Sequence, residues 1–416
     1  MTDSKPSGSK THSDVRMRGF AERTTVESAL SWLDAHAQCL ESESVSLAQS
    51  ADKVLAQDIV SQTDVPRFSR AMMDGYAVHA TDTHGAAPYN PLALAIIGEV
   101  LPGNQFPAEV QRGQAVRIMT GAPIPQGADA VLPAEYSEAQ SDRVLCHGEV
   151  ATGKHVGLVG EDVARGTCIL SAGRRLRPQD LGLLSSIGCQ SVRVVRQPRV
   201  RIVITGNELL PPGTPPHGNR IGDANGPMLQ ALVNRDGGIT INPGIVPDRP
   251  AEILSALRDD ADIILVSGGS SVGQEDHAPS LITEHGELAI HGIAMRPSSP
   301  SGMGLLDDRL VLLLPGNPVS CLCAYDFFAG RAIRTAAGRS ADWPYPFTYG
   351  RLARKLVSAI GRVDYARIAI TPQGVEPLAI SGASVLSSTT RADGFVIIPA
   401  DSEGYAAGAD VKVYHY

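Results

Sequence analysis

The fold of this chain is decided by the stretch Val200-Arg201-Ile202-Val203-Ile204-Thr205, which runs directly into Gly206-Asn207-Glu208. Its β-branched apolar residues predict a buried strand that ends in a small polar loop. The same alternation continues, with strands predicted over 239–246, 263–266, 288–295 and 310–314, and helices over 227–233, 250–257 and 279–285. Asn225 is available near the cap of the first of these helices. Such alternation predicts an open α/β sheet covered on both faces, with a hairpin over 302–314 inside it.

The rest of the chain is β-rich. A capping-box pattern at residues 24–27 predicts a first helix of about a dozen residues. Short strands are predicted over 93–97, 115–119, 130–132 and 192–195, with Gly/Pro turns between them and a helix over 178–187. A helix follows Pro318, residues 344–346 form a linker, and short strands return over 347–416. The fold class is therefore α/β plus β in a multidomain chain.

Composition and charge limit the possible partners. The 416 residues include 36 Lys plus Arg and 44 Asp plus Glu, and the net charge of −8 argues against a nucleic-acid-binding surface. The six cysteines show no CxxC spacing, which predicts a reducing compartment, and Cys321 and Cys323 are expected in the core. No apolar run approaches the roughly 18 residues that span a bilayer. We predict a cytoplasmic protein with no nucleic-acid or membrane partner and a disordered tail over residues 1–23.

Three predicted strands end in small, polar, Gly-rich loops. The loops are Thr205 to Glu208, Ser267 to Asp276, and Pro315 to Ser320. In a doubly wound sheet, ligands bind at the carboxyl ends of the strands, where helix N-termini and backbone amides collect. The chain has neither the GxxxxGK[ST] spacing of a P-loop nor a GxGxxG dinucleotide fingerprint. The three loops therefore predict a ligand site of another kind at one edge of the sheet.

The residue types in these loops suit a phosphate-bearing ligand with a cation. Glycines let a phosphate or a pterin-like ring approach the backbone, hydroxyls donate hydrogen bonds, and carboxylates are oxygen ligands for Mg²⁺. The glycines are Gly268, Gly269 and Gly273. The hydroxyls belong to Ser267, Ser270 and Ser271, and the carboxylates belong to Glu208, Asp223 and Asp276.

The β-rich half has its own dense motifs. They are Met73-Asp74-Gly75-Tyr76-Ala77, Thr120-Gly121-Ala122 and Gly160-Glu161-Asp162. Acidic residues beside glycine also occur in ordinary Asx-type turns, so a structural role stays open for each. The sequence contains no HExxH, GxSxG or paired Cys/His cluster, which gives no support to zinc hydrolysis or a hydrolase triad.

Together these segments resemble the MoeA/gephyrin E-domain family, the molybdopterin molybdenumtransferases. The resemblance runs in family order from about residue 25 to 416 and includes the segment from Leu314 to Pro318. It implies an elongated subunit of a homodimer, with the active site between the α/β domain of one subunit and the Asp74-bearing domain of the other. The implied domains are an N-terminal domain over 24–59 and 150–196, whose first helix packs on the α/β domain, an inserted β-rich domain over 60–149, a molybdopterin-binding α/β domain over 197–343 and a β-barrel over 344–416.

The resemblance also implies a reaction and the residues that serve it. Adenylated molybdopterin and molybdate, with Mg²⁺, would yield molybdenum cofactor and AMP, and the product could be handed to molybdoenzymes or other biosynthesis proteins. The implied catalytic residues are Asp74, Thr120, Asp162, Glu208 and Asp276, and the implied metal ligands are Asp74, Glu208, Asp223 and Asp276. The pterin and nucleotide would lie against Ser267, Gly268, Gly269, Ser270, Gly273, Pro315, Gly316, Asn317 and Pro318.

This chain departs from the family pattern at two places. The family usually has Thr-Gly-Asp-Glu where this chain has Asn207, which removes one negative charge. The family's Lys-Pro-Gly-Lys-Pro, whose lysines are associated with molybdate, is here Arg296-Pro297-Ser298-Ser299-Pro300. Arginine can bind an oxyanion bidentately, whereas the second lysine becomes a neutral hydroxyl. We predict an anion pocket formed by Arg296, Ser299, Arg367 and Ser388.

Two other functions compete with metal insertion. A divergent paralogue could bind molybdopterin as a carrier or scaffold, since the second family lysine is missing. The preceding adenylyltransferase step uses the same α/β domain, but that enzyme is usually a single small domain with a Gly-Gly-Thr-Gly loop. This chain has Gly268-Gly269-Ser270-Ser271 and three further domains, which favours metal insertion.

Overall fold

A computed structural model describes residues 23–269, 276–380 and 382–416. The chain divides into two compact units, one over 44–51 and 55–193, the other over the described parts of 23–43, 52–54 and 194–416. The predicted N-terminal tail, apart from Arg23, lies outside the described residues. The helices are α1 (Val26–His36), α2 (Pro178–Ser186), α3 (Asn225–Asp236), α4 (Pro250–Arg258), α5 (His277–His285), α6 (Pro318–Ala324), α7 (Gly330–Ala336) and α8 (Ser387–Thr390). Within these ranges, no helix has the length and apolar character needed to cross a bilayer.

Short strands dominate residues 42–195, as the sequence predicted. They are β1 (Ser42–Ser46), β2 (Ile59–Val60), β3 (Arg70–Ala71), β4 (Gly75–Val78), β5 (Leu92–Val100), β6 (Gln114–Ile118), β7 (Ala130–Pro133), β8 (Ser137–Gln140), β9 (Arg143–Cys146), β10 (Val156–Gly157), β11 (Cys168–Leu170) and β12 (Ser191–Val195). Six of them form a sheet in the order β7-β4-β6-β5-β9-β8. Because side chains alternate along β4, Tyr76 and Val78 enter one hydrophobic core and Ala77 enters another.

The second unit contains the predicted α/β sheet. Its strands are β13 (Arg199–Thr205), β14 (Leu209–Leu210), β15 (Ile221–Gly222), β16 (Ile239–Ile241), β17 (Ile245–Val246), β18 (Ile263–Ser267), β19 (Glu287–His291), β20 (Met295–Arg296), β21 (Gly302–Leu306) and β22 (Arg309–Leu314). The sheet order is β16-β13-β18-β22-β21-β19, with β17 also beside β13. It is parallel from β16 to β22, and the antiparallel β21–β22 pair is the predicted hairpin.

Both faces of this sheet are covered, as predicted. On β13, Val200 and Ile202 enter a core that also contains α1, α3, α6 and α7, whereas Val203 enters a core shared with α4 and α5. Thr25 caps α1 by accepting a hydrogen bond from the Ser28 backbone N–H. The cores explain why β13 is apolar at consecutive positions, since each face of the strand is buried.

Three predicted boundaries in this unit were wrong. The strand over 239–246 is two strands, β16 and β17, and the strand over 288–295 ends at His291. Gly292 has φ +93° and turns the chain away, so that β20 leaves the α/β sheet and pairs with a strand of the C-terminal domain. Asn225 is the first residue of α3 and its side chain does not cap the helix. After this turn, the backbone N–H and C=O groups of β20 no longer face a strand of the α/β sheet. They pair instead with the C-terminal strand over Val363–Thr371.

The remaining strands form the predicted β-barrel. They are β23 (Phe347–Arg351), β24 (Leu356–Val357), β25 (Val363–Thr371), β26 (Gly374–Ala379), β27 (Gly394–Ile398), β28 (Gly404–Tyr405) and β29 (Asp410–His415). The sheet runs β26-β25-β27-β29-β23, with β20 on β25. A bridge between Leu352, directly after β23, and Val375 of β26 closes the ring.

A long helix precedes the barrel. It consists of α6, a π-helical turn over Tyr325–Ala329 and α7. Cys321 and Cys323 lie on α6 with no exposed surface, which confirms that they are core residues. Burial raises the pKa of the Cys321 thiol to about 12, so this thiol stays protonated and does not act as a nucleophile.

Candidate functional site

The three predicted loops meet at one edge of the α/β sheet. Because β13, β18 and β22 are parallel neighbours, their ends lie side by side, with Ile204 opposite Ser267 and Ser267 opposite Leu314. The loops that follow these strands line a single cleft of about 610 Å³. The predicted convergence is confirmed, and its cause is the shared direction of the three strands.

Close packing holds the loops together. Gly268 has φ +95°, and a Cβ here would lie 2.0 Å from the Thr205 carbonyl oxygen, so only glycine fits. The side-chain amide of Asn225 donates to Ser267 Oγ at 2.9 Å and to the Gly316 carbonyl at 2.8 Å. Ser267 is 1% exposed, so its hydroxyl connects the loops from within. Asn225, which the sequence had suggested only near a helix cap, is therefore the residue that links two of the three loops.

The other residues predicted to contact the pterin and nucleotide belong to the same loops. Gly269, Gly316, Asn317 and Pro318 line the cleft, and Pro315 is buried beside them. Asn317 accepts a hydrogen bond from Ser384 Oγ at 2.8 Å. The predicted residues Ser270 and Gly273 lie outside the described residues.

The predicted carboxylates reach the cleft from different loops. They are Glu208, Asp223 and Asp276. Glu208 folds over Gly206, where a Cβ would lie 2.8 Å from the Glu208 carboxylate. Asp223 is 7% exposed and accepts a hydrogen bond from the Gly226 backbone N–H at 2.8 Å. Asp223 therefore holds the first turn of α3 as well as lining the cleft.

Asp248 is a fourth cleft carboxylate that sequence reasoning missed. It accepts hydrogen bonds from Thr205 Oγ1 and from the Asn207 backbone N–H, the latter at 3.0 Å. It follows β17, which runs parallel to β13 with Val246 opposite Thr205. The available signal was its position two residues beyond a predicted strand, because the strand's direction brings its loop to the same edge.

The carboxylates do not form a ready metal cage. Within the three described ranges, no group of three or more Asp, Glu, His or Cys side chains is placed to enclose a metal ion. Mg²⁺, however, is commonly held by one or two carboxylates, with the remaining ligands from water and substrate phosphates. The oxygen donors of the cleft fit that requirement, because four carboxylates line it.

In the β-rich unit, the structure brings Asp74 and Thr120 together. The backbone N–H and the hydroxyl of Thr120 both donate to Asp74 Oδ1 at 2.7 Å. These hydrogen bonds lower the pKa of the exposed Asp74 carboxyl. Asp162 lies on an exposed turn whose neighbouring Glu161 pairs with Arg70 at 2.9 Å. Asp74 and Thr120 thus form one polar pair, and Asp162 is positioned by a separate turn.

The four residues of the predicted anion pocket lie on β20 and the turn after it, on β25 and on α8. Arg296 forms an ion pair with the buried carboxylate of Asp364. Arg367 is fully buried on β25. Because side chains alternate between the faces of a strand and the two residues are three apart, Arg367 projects from the opposite face to Asp364. Ser388 donates to the Val385 carbonyl at 2.6 Å, and Ser299 Oγ is buried. The pocket stays a prediction.

The fold and the cleft define a class of protein, and family profiles identify it. Three profiles cover most of the chain: "MoeA N-terminal region (domain I and II)" at residues 24–188, "Probable molybdopterin binding domain" at 201–335 and "MoeA C-terminal region (domain IV)" at 349–416. The middle profile contains the three converging loops. The class is therefore that of the multidomain molybdopterin-binding proteins.

Relatives along the whole chain make the assignment specific. Molybdopterin molybdenumtransferase 2 of Mycobacterium tuberculosis is 34% identical over 89% of this chain and 94% of its own length. Molybdopterin molybdenumtransferase of Haemophilus influenzae is 32% identical over 90% and 93%. The crystal structure of a molybdopterin biosynthesis MoeA protein from Pyrococcus horikoshii superposes with a TM-score of 0.80 at 31% identity, covering 95% of this chain and 99% of that one. This chain belongs to the MoeA family of molybdopterin molybdenumtransferases, as its motifs predicted.

Proposed function

We propose that this protein inserts molybdate into adenylated molybdopterin and releases AMP during molybdenum cofactor biosynthesis. The observation that carries the proposal is the alignment of Ile204, Ser267 and Leu314, which brings three Gly-rich loops around one acidic cleft in a chain of this family. A cleft of about 610 Å³ is in the size range of small-molecule sites. Molybdopterin, its adenylate and molybdate are the proposed substrates.

The loops have distinct proposed roles. The glycines, Gly268, Gly269 and Gly316, would let the pterin and the nucleotide approach the backbone closely, and Asn317 with Pro318 would border them. Ser270, Gly273 and Pro315 are proposed as further contacts of the same loops. Asp276 precedes α5, whose N-terminus carries the positive end of a helix dipole and suits a phosphate. A ligand with both a ring and phosphates fits this combination of small and polar groups.

Glu208 and Asp276 are the proposed principal ligands of Mg²⁺ in the cleft, with Asp223 as a further candidate. Bound Mg²⁺ would offset the negative charge of the phosphates and orient them. Asp248 would hold the Thr205–Asn207 loop in position through its two hydrogen bonds.

The β-rich unit is proposed to complete the active site of a second copy in a homodimer. Asp74, whose carboxylate accepts two hydrogen bonds from Thr120, would act as a metal ligand or would orient water, and Asp162 would assist it. Mixing the impaired variants Asp74→Asn and Glu208→Gln tests this arrangement. A mixed dimer then has one intact site of two, so purified mixed dimers should show about half of wild-type activity and a randomly re-formed 1:1 mixture about a quarter. Sites formed within one subunit would give no recovery.

The reaction itself is tested by AMP release. Purified protein with adenylated molybdopterin, Mg²⁺ and molybdate should release AMP, and Glu208→Gln should lower the rate at least about tenfold. A protein that binds the pterin but releases no AMP would instead be a carrier or scaffold. We further propose a cytoplasmic location and transfer of the product to molybdoenzymes or other cofactor-biosynthesis proteins.

A further inference from the structure

A cluster of two arginines around one buried aspartate lies where β20 joins the barrel. Met295 and Arg296 pair in register with Val363 and Asp364 of β25. Asp364 has no exposed surface, and its two carboxylate oxygens receive different guanidinium groups: Arg296 at Oδ2 and Arg362 at Oδ1, the latter at 3.0 Å. Two cations and one anion leave this cluster with a net charge of +1.

The two guanidinium groups remain accessible although their shared carboxylate is buried. The Arg296 side chain is 33% exposed and the Arg362 side chain 31% exposed. Ser358 Oγ donates a further hydrogen bond to Asp364 Oδ2 at 2.8 Å. A carboxylate held by three donors fixes the two arginines relative to each other, and their outer N–H groups can then bind an oxyanion.

The turn after Arg296 adds donors to the same region. Within the described residues, Arg296 Nε and Ser299 Oγ are buried and have no hydrogen-bond acceptor. Ser298 Oγ donates to the carbonyl of Ser320 on α6, and α6 begins at the cleft with Asn317 as its cap. The cluster is thus connected to the cleft through one turn and one helix.

We propose that Arg362 is a further cation of the oxyanion site, and that Asp364 is the positioning residue that holds it beside Arg296. The inference rests on the proposed function, because molybdate is taken as the oxyanion. Ser299 is neutral at the position where the family has its second lysine, so one cation is lost from the turn. Arg362 supplies that charge from the barrel, and a tetrahedral dianion fits between two fixed guanidinium groups better than beside one.

The test compares Arg362→Gln with a matched control, Arg351→Gln, in the full-length protein. Arg351 also belongs to the barrel and pairs with an aspartate, but both side chains are more than 70% exposed. We expect Arg362→Gln to raise the molybdate concentration for half-maximal AMP release about tenfold, with little change in kcat, and Arg351→Gln to leave it unchanged. Arg362→Lys should lie between wild type and Arg362→Gln, because it keeps the charge without the fork.

Rescue separates oxyanion binding from a purely structural role. Adding Ser299→Lys to Arg362→Gln restores a cation on the turn and should bring the molybdate requirement back to within about threefold of wild type. Absence of recovery, with the double variant folded by its thermal unfolding midpoint, would overturn the inference.

Equilibrium dialysis of molybdate against the protein alone separates this inference from the proposed function. Weaker binding by Arg362→Gln supports the inference even if the wild type releases no AMP. Equal molybdate binding by wild type, Arg362→Gln and Arg351→Gln would overturn it even if AMP release is normal.

Discussion

Two pairs of aspartates in the α/β part of the chain are held by opposite means. Asp236 and Asp326 have no exposed surface and are surrounded by arginines and tyrosines. Asp223 and Asp248 line the cleft and accept hydrogen bonds from backbone N–H groups and a hydroxyl. An arginine neutralises the charge that it contacts, whereas a neutral dipole stabilises a carboxylate and leaves its net charge in place. The difference separates carboxylates whose charge is neutralised inside the fold from carboxylates whose charge remains at the cleft.

The buried pair joins α3 to the π-helical turn. Asp236 contacts Arg235 at 2.9 Å and Arg334 at 3.1 Å. Asp326 contacts Arg235 at 3.4 Å and accepts a hydrogen bond from Tyr345 at 2.9 Å. Because Tyr345 belongs to the linker before the barrel, this network connects the long helix with the linker. Its charged members pair with one another inside the protein, so we interpret the network as structural.

The largest expected effect is that of Asp236→Asn on stability. The substitution keeps the shape but leaves Arg334, which is 3% exposed, without its counter-ion. Removing one partner of a buried ion pair costs about 3–5 kcal/mol. Urea denaturation of the variant should show this loss, whereas Asp260→Asn, at an exposed ion pair, should change stability by less than about 1 kcal/mol. A loss below about 1 kcal/mol for Asp236→Asn would mean that the buried and the cleft carboxylates are not energetically distinct.

The next effect is the pH dependence that Asp326 gives to folding. Burial raises the pKa of its carboxyl from 3.8 to about 6, against the opposing effect of Arg235. The folded state therefore holds a proton that the unfolded state loses, so this contribution to stability is present below about pH 4 and is lost as pH rises through about 6. The expected loss is about 2–3 kcal/mol.

Denaturation of wild type and Asp326→Asn between pH 4 and 8 measures this contribution. The asparagine variant cannot titrate at residue 326, so its stability relative to wild type should rise across this range. Asp342→Asn, at an exposed aspartate, should run parallel to wild type. A constant difference between wild type and Asp326→Asn would show that Asp326 keeps one protonation state throughout.

The sequence predicted the cleft but not the cluster of Arg296 and Arg362 around Asp364. The meeting of Thr205, Ser267 and Leu314 follows from local apolar patterns, because parallel strands deliver their ends to one edge. The partner of Arg296 is Asp364, which is 68 residues away. No local pattern shows that β20 leaves one sheet for another, because this depends on backbone groups of a distant strand. Long-range pairing therefore limited the site prediction.

Asp248 and Ser298 show two further limits. Asp248 was missed because the loop after β17, Pro247-Asp248-Arg249, has none of the glycines that mark the other three loops. Ser298 occupies φ +90°, a conformation that favours the glycine found in the family motif. Its hydrogen bond to the Ser320 carbonyl accompanies this conformation. Neither feature follows from periodicity, since one depends on which strands end at the same edge of the sheet and the other on tertiary packing.

The smallest effect on stability, and the most direct test of the comparison, is expected at Asp248. Asp248→Ala leaves the buried Thr205 hydroxyl and the Asn207 N–H without their acceptor, at a cost of about 1–2 kcal/mol. Asp248→Asn keeps one acceptor oxygen and should cost less than about 1 kcal/mol. If the charge of Asp248 serves the ligand, both variants should release AMP at least about tenfold more slowly and require more Mg²⁺. If Asp248→Asn instead releases AMP like wild type, the negative charge at residue 248 is not needed for the reaction. Retaining a charge beside neutral hydrogen-bond donors would then not be enough to make a carboxylate of this cleft functional.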